Sequence, residues 1–182
     1  MGGDRGDHPA AELPHGRGGP RGRGGAGLID RIDYRGAFWF PVGPDTLWET
    51  IERFDQFESW WDWLRDFGAD ADTLVAGNVL HATVVPPVPW RLRMDIGVAR
   101  ARRPDVVEAA IGGDVSGTAV IRLEPVGGGT LVTAVWSLDM RSRSLRVAAR
   151  LAFPLMRWGH DRVVEQAVAG FRRRALGGTP RP

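Results

Sequence analysis

The sequence predicts an α+β fold in which a curved antiparallel sheet of about seven strands wraps around one long C-terminal helix, with two short helices after the first strand. Between residues 32 and 140, apolar residues alternate with period two in several runs, as in half-buried strands. Residues 143–176 change to the period of an amphipathic helix. A sheet with one apolar face must bury that face, and only the long helix is large enough to cover it. We expect a cavity between the two, open near the short helices.

The N-terminal segment differs from the rest of the chain. Residues 1–27 contain ten Gly and three Pro, with too little apolar surface to offset the entropy of ordering. Residues 22–27 match G-x-G-x-x-G, but no strand precedes them to aim a dinucleotide site. Two Arg-Gly-Gly repeats are similar to RNA-binding segments, but two copies without interleaved aromatic residues are a weak signal, so we do not expect nucleic acid as a partner. We predict a disordered tail at 1–27, one ligand-binding domain at 28–177 and a disordered C-terminus at 178–182.

The first strand and the short helices follow in order. Residues 32–40 alternate in polarity and predict a strand. Residues 47–54 carry apolar side chains at helical spacing and predict a short amphipathic helix. Asp55 and Glu58 have the spacing of a capping box, which predicts a second short helix through 59–64.

Six further strands are predicted from alternation and turn signals. They lie near 70–75, 78–85, 90–102, 105–112, 115–124 and 130–140. Gly127–Gly129 has no Lys-Ser/Thr after it, so it predicts a hairpin turn and not a phosphate loop. Trp136 is predicted to point inward because it shares parity with Val132, Ala134, Leu138 and Met140.

The long helix is predicted over 143–176. Pro154 cannot donate a backbone hydrogen bond, so the helix should kink or restart there. One face carries arginines, which form either a solvated surface or a contact with the acidic body, an acidic partner or anionic lipid headgroups. These arginines are Arg143, Arg146, Arg150 and Arg157.

Composition narrows the function classes. The 182 residues are 43% hydrophobic, which suits one domain with a sizeable core. The chain has no cysteine, so disulfide scaffolds, zinc ribbons, iron–sulfur sites and cysteine nucleophiles are excluded. No apolar run approaches the roughly 20 residues that span a bilayer, and no signal peptide is evident. We therefore expect a cytoplasmic protein that makes at most a peripheral membrane contact.

Charge is distributed unevenly along the chain. The formal net charge is only +2, and all 24 basic residues are arginine. Residues 28–140 hold ten arginines against seventeen acidic residues, whereas residues 141–182 hold ten against two. We expect a basic C-terminal segment on an acidic body.

Five segments carry a family resemblance. Residues 38–48 read FWFPVGPDTLW, 57–64 FESWWDWL, 86–93 PPVPWRLR, 113–117 GDVSG and 130–136 TLVTAVW. In this order they resemble P-x-x-x-V-W, F-P-x-W-W-P-x-V, G-P-L-P-Y-R-L-R, G-D-L-x-G and T-x-V-x-Y-x-W of the START-like superfamily, also labelled SRPBCC or polyketide cyclase/dehydrase. The resemblance covers about residues 30–176. It implies the helix-grip fold but no single reaction, because this fold hosts ligand carriers, aromatase/cyclases, chaperone regulators and ring-hydroxylase subunits.

The predicted cavity defines the candidate site residues. The ligand-binding candidates are Trp61, His81, Trp90, Leu92, Met94, Ile96, Ile121, Ala134, Trp136, Leu138, Met156 and His160, with His81 included although parity does not orient its strand. Trp60, Trp61 and Trp63 cannot all face one side, so one of them could form a lid or a membrane-touching edge.

Candidates for chemistry are few. His160 is a general acid/base candidate or a helix-face histidine with a structural bond, and His81 lines the cavity or faces away from it. Arg93 and Arg100 are the arginines expected nearest the cavity, where one could recognise a carboxylate or enolate. The histidines lack metal-ligand spacing, so we expect no metal and no cofactor.

Three functions stay open. The first is a domain that binds a small or medium hydrophobic ligand between sheet and helix. The second is an aromatase/cyclase acting on a poly-β-keto substrate, in which Arg93, His81 or His160 would polarise a carbonyl or move a proton. The third is an interaction protein that uses the basic C-terminal helix.

Overall fold

The structure is a computed structural model that describes residues 31–177, with backbone only for residues 144, 148–150 and 175. The predicted tails at 1–27 and 178–182 lie outside the described residues. The elements are β1 (Arg31–Phe40), α1 (Pro44–Ile51), a 3-10 turn (Phe54–Gln56), α2 (Phe57–Trp60), β2 (Leu64–Ala69), β3 (Val79–Val84), β4 (Leu92–Arg102), β5 (Val106–Gly113), β6 (Val115–Val126), β7 (Gly129–Met140), α3 (Arg143–Gly170) and a final π-helical turn (Phe171–Ala175).

The seven strands form one antiparallel sheet in the order β1-β7-β6-β5-β4-β3-β2. β1 and β2 are consecutive in the sequence but lie at opposite edges, so α1 and α2 carry the chain from one edge to the other. β1 pairs with β7 over its whole length, which places Tyr34 beside Trp136 and Gly36 beside Ala134. The curved sheet, the long C-terminal helix and the short helices after β1 confirm the predicted fold class.

The second strand is not where the sequence pattern placed it. The prediction of a strand at 70–75 was wrong, because β2 occupies Leu64–Ala69. The second short helix is present, but it spans Phe57–Trp60 and not 59–64. The capping box does not form either. Glu58 Oε1 accepts a hydrogen bond from the Phe67 backbone N–H at 2.7 Å, so this carboxylate ties α2 to β2.

Residues 71–78 form an ordered loop around one buried side chain. Asn78 is 4% exposed, and its Nδ2 donates to the carbonyl oxygens of Ala71 at 2.9 Å and Thr73 at 2.7 Å. Its Oδ1 accepts from the Ala71 backbone N–H at 3.0 Å. The amide replaces the strand partners that this segment lacks, since buried backbone groups need hydrogen-bond partners.

The long helix starts and bends as its sequence predicts. The Ser142 hydroxyl caps α3 by accepting a hydrogen bond from the Leu145 backbone N–H at 3.2 Å. Pro154 lies inside the helix, and Ala152 just before it has non-helical angles, φ −141° and ψ 37°. The kink expected at the proline is therefore confirmed.

Side chains of β7 alternate strictly between the two sides of the sheet. Val132, Ala134, Leu138 and Met140 are buried, and Trp136 is half-buried on the same side. This side, which faces α3, is called the inner face. Trp136 therefore points inward as predicted.

The buried core is divided into two clusters. The first, at the α1 and α2 end, is built around Trp48, Trp60 and Phe171. The second, near the start of α3, contains Leu138, Leu145 and Met156. The middle of the inner face lies between them.

Candidate functional site

The middle of the inner face carries small residues. Strand register aligns Gly36 with Ala134 and aligns Ala109 with Ala119. Short side chains leave space above a sheet that larger residues would fill.

Apolar side chains around these small residues are not sealed from solvent. Ile96 and Ile121 pack against the first core cluster, and Met94, Ile111 and Trp136 pack against the second. All five are only half-buried, although they lie on the inner face. We call the space that these residues and Ala134 surround the inner groove.

Tyr34 projects into the inner groove. Its ring stacks on Trp136 with centroids 4.2 Å apart, and a Cβ placed on Gly36 would collide with the Tyr34 hydroxyl. Within residues 31–177 that hydroxyl has no hydrogen-bond partner. Burial, and to a lesser extent the charge of Asp161, raises the pKa of Tyr34, so the phenol stays protonated at neutral pH.

His160 joins α3 to the sheet. The Trp136 indole Nε1–H donates to His160 Nε2 at 3.0 Å, and His160 Nδ1 lies 3.0 Å from Asp161 Oδ1. This arrangement fits a neutral imidazole that carries its hydrogen on Nδ1. Both ring nitrogens are engaged, so His160 holds the helix in position and offers no free base to a ligand.

A small cavity of about 50 Å³ opens beside this histidine. Tyr34, Phe153, Arg157 and His160 contribute to its walls. It is far below the roughly 300–1,000 Å³ of sites that enclose drug-sized ligands. This cavity by itself is therefore too small to enclose a ligand of that size.

His81 and Arg93 lie on the outer face of the sheet. They alternate with inward residues of β3 and β4, and they line a separate cavity of about 160 Å³ together with Asp66 and Asp95. A residue on this face cannot touch a ligand between sheet and helix. The suggested roles of His81 and Arg93 in the inner cavity do not fit this geometry, because strand parity directs their side chains to solvent.

His81 instead belongs to a surface cluster of charges. Its Nδ1 lies 2.8 Å from Asp95 Oδ1, and its Nε2 lies 3.6 Å from Asp70 Oδ1. The hydrogen bond with Asp95 is the main cause that raises the pKa of His81. Arg100 is exposed and pairs with Glu108 at 3.5 Å, away from the inner groove.

The remaining candidates fall into three environments. Leu138 and Met156 are buried in the second core cluster, with Trp90 and Leu92 packed against it. Trp61 packs against the first cluster and donates from its indole to the Ala167 carbonyl oxygen of α3 at 2.9 Å. The groove itself is lined by Met94, Ile96, Ile121, Ala134, Trp136 and, at its edge, His160.

No tryptophan of the 60–63 segment points freely outward. Trp60 is buried, and Trp61 and Trp63 are half-buried and stacked on each other. The suggested tryptophan lid is therefore not formed by this segment.

Tyr34 is the groove residue that sequence reasoning missed. Its inward parity with Ile32 and Phe38 was visible, and it is the single tyrosine of the chain. The Tyr34 side chain can lie over Gly36 because glycine has no Cβ to block it. Strand parity gives the face on which a side chain lies but not its direction along that face.

Metal binding and membrane crossing each need a recognisable arrangement of residues. Among residues 31–177, no group of three or more His, Asp or Glu side chains is arranged to hold a metal ion. In the same part of the chain, no helix is both long and apolar enough to cross a membrane.

Comparison with known proteins shows similarity at the level of structure. Neither protein-family models nor curated protein sequences give a match. The structure of TTHA0849 from Thermus thermophilus superposes with a TM-score of 0.66 at 14% identity, covering 82% of this chain and 100% of that chain. A START superfamily protein from Mycobacterium smegmatis gives 0.62 at 12% identity, covering 81% of this chain and 99% of that chain.

A third similar structure is a di-domain ARO/CYC protein. The di-domain ARO/CYC BexL from the BE-7585A biosynthetic pathway gives a TM-score of 0.61 at 6% identity, covering 85% of this chain and 52% of that chain. At such identities the likeness concerns the fold alone. The chain has the START-like helix-grip fold, as the five sequence segments implied.

Proposed function

We propose that this protein binds a small or medium hydrophobic ligand in the inner groove between the sheet and α3. One observation carries the proposal: inward apolar side chains in the middle of the sheet are only partly buried beneath the helix, between two separate core clusters. Leaving such surface accessible costs roughly 25 cal/mol per Å² of apolar area. An apolar ligand would recover that free energy.

The Tyr34 hydroxyl is the polar group that would orient the ligand. It has no partner in the described part of the chain, and the stack on Trp136 holds its ring in place. A protonated phenol both donates and accepts, so a ligand carbonyl or hydroxyl suits it. Apolar sites with one or a few polar groups of this kind are the usual design of hydrophobic ligand pockets.

An aromatase/cyclase is the second candidate. The Tyr34 hydroxyl would polarise a carbonyl of a poly-β-keto chain, and the Asp161–His160 pair lies nearby. This interpretation is weaker because His160 Nε2 already accepts the Trp136 indole N–H, which leaves no base to take a proton. Ligand binding needs no such base, so we favour it.

Native mass spectrometry of the full chain purified from its own host tests the proposal. We expect an additional mass from a bound apolar molecule, released by organic solvent. The proposal would be overturned if the protein carries no such mass and also takes up no added oleic acid.

A further inference from the structure

The outward side of α3 carries an apolar stripe that no other described part of the protein covers. Four of the seven large hydrophobic residues that are exposed among the described residues lie on this one helix. Val147 and Leu151 are four residues apart before the kink at Ala152, and Leu155 and Trp158 are three residues apart after it, so each pair has the spacing of one helix face. The apolar stripe consists of Val147 (56% exposed), Leu151 (83%), Leu155 (42%) and Trp158 (51%).

The stripe is not an extension of the core. Inward positions of the same helix are filled by Leu145 and Met156, both buried in the second cluster. Leu151, the most exposed of the stripe, lies directly before the kink at Ala152. The helix thus has two apolar sides, one packed on the protein and one facing water. Contiguous exposed apolar surface of this kind marks an interaction site.

A row of exposed arginines flanks the stripe. Arg143, Arg146 and Arg157 have no ion-pair partner within the part of the chain that the structure describes, and residues 143–160 contain no acidic residue. Other described arginines are paired with carboxylates, namely Arg31, Arg100, Arg102, Arg103 and Arg174 outside α3 and Arg162 towards the C-terminal end of α3. Next to the apolar stripe, by contrast, these three arginines form no ion pair within the described residues, although Arg157 lines the small cavity to which Asp33 and Asp161 also contribute.

We propose that α3 docks the protein on an anionic lipid surface, with the apolar stripe inserted among the acyl chains and the arginine row at the headgroups. A helix that combines exposed Leu, Val and Trp with flanking arginines has the composition of helices that lie in a membrane interface. Tryptophan at the border suits the headgroup level. A stripe along one helix can enter a lipid surface without a matching groove, and the arginines are complementary in charge to its headgroups.

This inference does not depend on the proposed ligand. The stripe and the inner groove lie on opposite sides of α3, so docking would leave the groove side of the helix facing the protein. Vesicle binding is therefore measured without any bound ligand.

Flotation of the full chain with vesicles tests the proposal. We expect binding to vesicles of phosphatidylcholine with about 30 mol% phosphatidylglycerol, little binding to phosphatidylcholine alone, and weaker binding as salt rises from about 0.05 to about 0.5 M. Each arginine near an anionic surface strengthens binding about fivefold. The variant Arg143→Gln/Arg146→Gln/Arg157→Gln should therefore partition onto the anionic vesicles about a hundredfold less than the wild type.

The apolar stripe is tested with Leu151→Gln/Leu155→Gln, which should lower partitioning by at least about tenfold. Both side chains are exposed, so the variant is expected to fold normally. Val75→Gln/Val126→Gln is the matched control, since both valines are exposed but lie away from α3.

A matched arginine control uses the outer face of the sheet. Arg35→Gln/Arg93→Gln/Arg122→Gln removes the same charge from three exposed positions on β1, β4 and β6 and should change partitioning much less. The proposal is overturned if anionic vesicles do not bind the protein, or if the helix variants and their controls behave alike. It is also overturned if the wild type is a dimer that Leu151→Gln/Leu155→Gln converts to a monomer, because the stripe then belongs to a contact between copies.

Discussion

Trp136 connects the inner groove to the long helix, and its replacement separates the contributions of ring and indole N–H. Its ring stacks on Tyr34 at 4.2 Å, and its N–H donates to His160 at 3.0 Å. Trp136→Ala removes both contacts, whereas Trp136→Phe keeps an aromatic ring for the stack. The two variants should therefore destabilise the protein unequally.

The expected magnitudes follow from these contacts. A stacked aromatic pair contributes about 0.5–1.5 kcal/mol beyond burial, and a neutral hydrogen bond about 0.5–1.5 kcal/mol. Truncating a buried Trp to Ala costs about 3–5 kcal/mol, and Trp136 is only half-buried, so we expect about 3 kcal/mol for Trp136→Ala. Trp136→Phe should cost about 1 kcal/mol, mainly the hydrogen bond.

Urea denaturation of the wild type and both variants gives these differences in the free energy of unfolding. A double-mutant cycle with Tyr34→Leu should show a coupling of about 1 kcal/mol. A cost below about 1 kcal/mol for Trp136→Ala, or equal costs for Ala and Phe, would refute the placement of this side chain.

Three further predictions concern the fold and its charges. Asn78→Ala should lower the free energy of unfolding by about 2–4 kcal/mol, because three hydrogen bonds of a buried amide are lost; a loss below about 0.5 kcal/mol in urea denaturation would contradict the loop geometry. Gly117→Ala should prevent folding or lower the melting temperature by about 10 °C or more, because a Cβ there would collide with the Ser137 carbonyl oxygen; a normal melting curve would speak against the close approach of β6 and β7. NMR titration should give His81 a pKa above its ordinary value of 6.5, and Asp95→Asn should lower it. Since the folded pKa is the higher one, this pair stabilises the fold below about pH 6.5 and the contribution is lost as pH rises through the folded pKa; an unchanged midpoint in Asp95→Asn would exclude the pairing.

The fold followed from the sequence because its elements repeat a simple pattern. On β7 the alternation from Val132 to Met140 assigns the inner face, and on α3 Pro154 locates the kink. The pattern misassigns the segment from 59 to 75 because Glu58 bonds to Phe67 in place of capping its own helix, and Asn78 holds a loop where alternation suggests a strand. Both outcomes depend on contacts that the local pattern of polarity does not report.

The site was predicted less completely than the fold. Parity does not choose a face for β3, so the sequence leaves the direction of His81 open, and it places Arg93 near the cavity although that side chain faces solvent. The sequence leaves two roles open for His160, and its bond to Trp136 depends on how α3 rests on β7. Such contacts join residues that are distant in the sequence. They depend on the twist of the strands and the position of the helix, which the local polarity pattern does not report.

Fluorophore binding by the variant Ala134→Trp tests the central claim most directly. Ala134 is a small inner-face residue between Gly36 and Ile121, so a tryptophan there would occupy the inner groove. An apolar naphthalene fluorophore should bind the wild type and the control Ala110→Trp, whose exposed position lies on the outer face, but not Ala134→Trp.

Stability decides between an open groove and a packed core. In an open groove, Ala134→Trp should change the free energy of unfolding by less than about 1 kcal/mol, whereas overpacking a filled core typically costs about 1–3 kcal/mol or more. Lost fluorophore binding with unchanged stability is the result that ligand binding in the groove predicts. Absence of fluorophore binding by the wild type, together with a large loss of stability in Ala134→Trp, would contradict it.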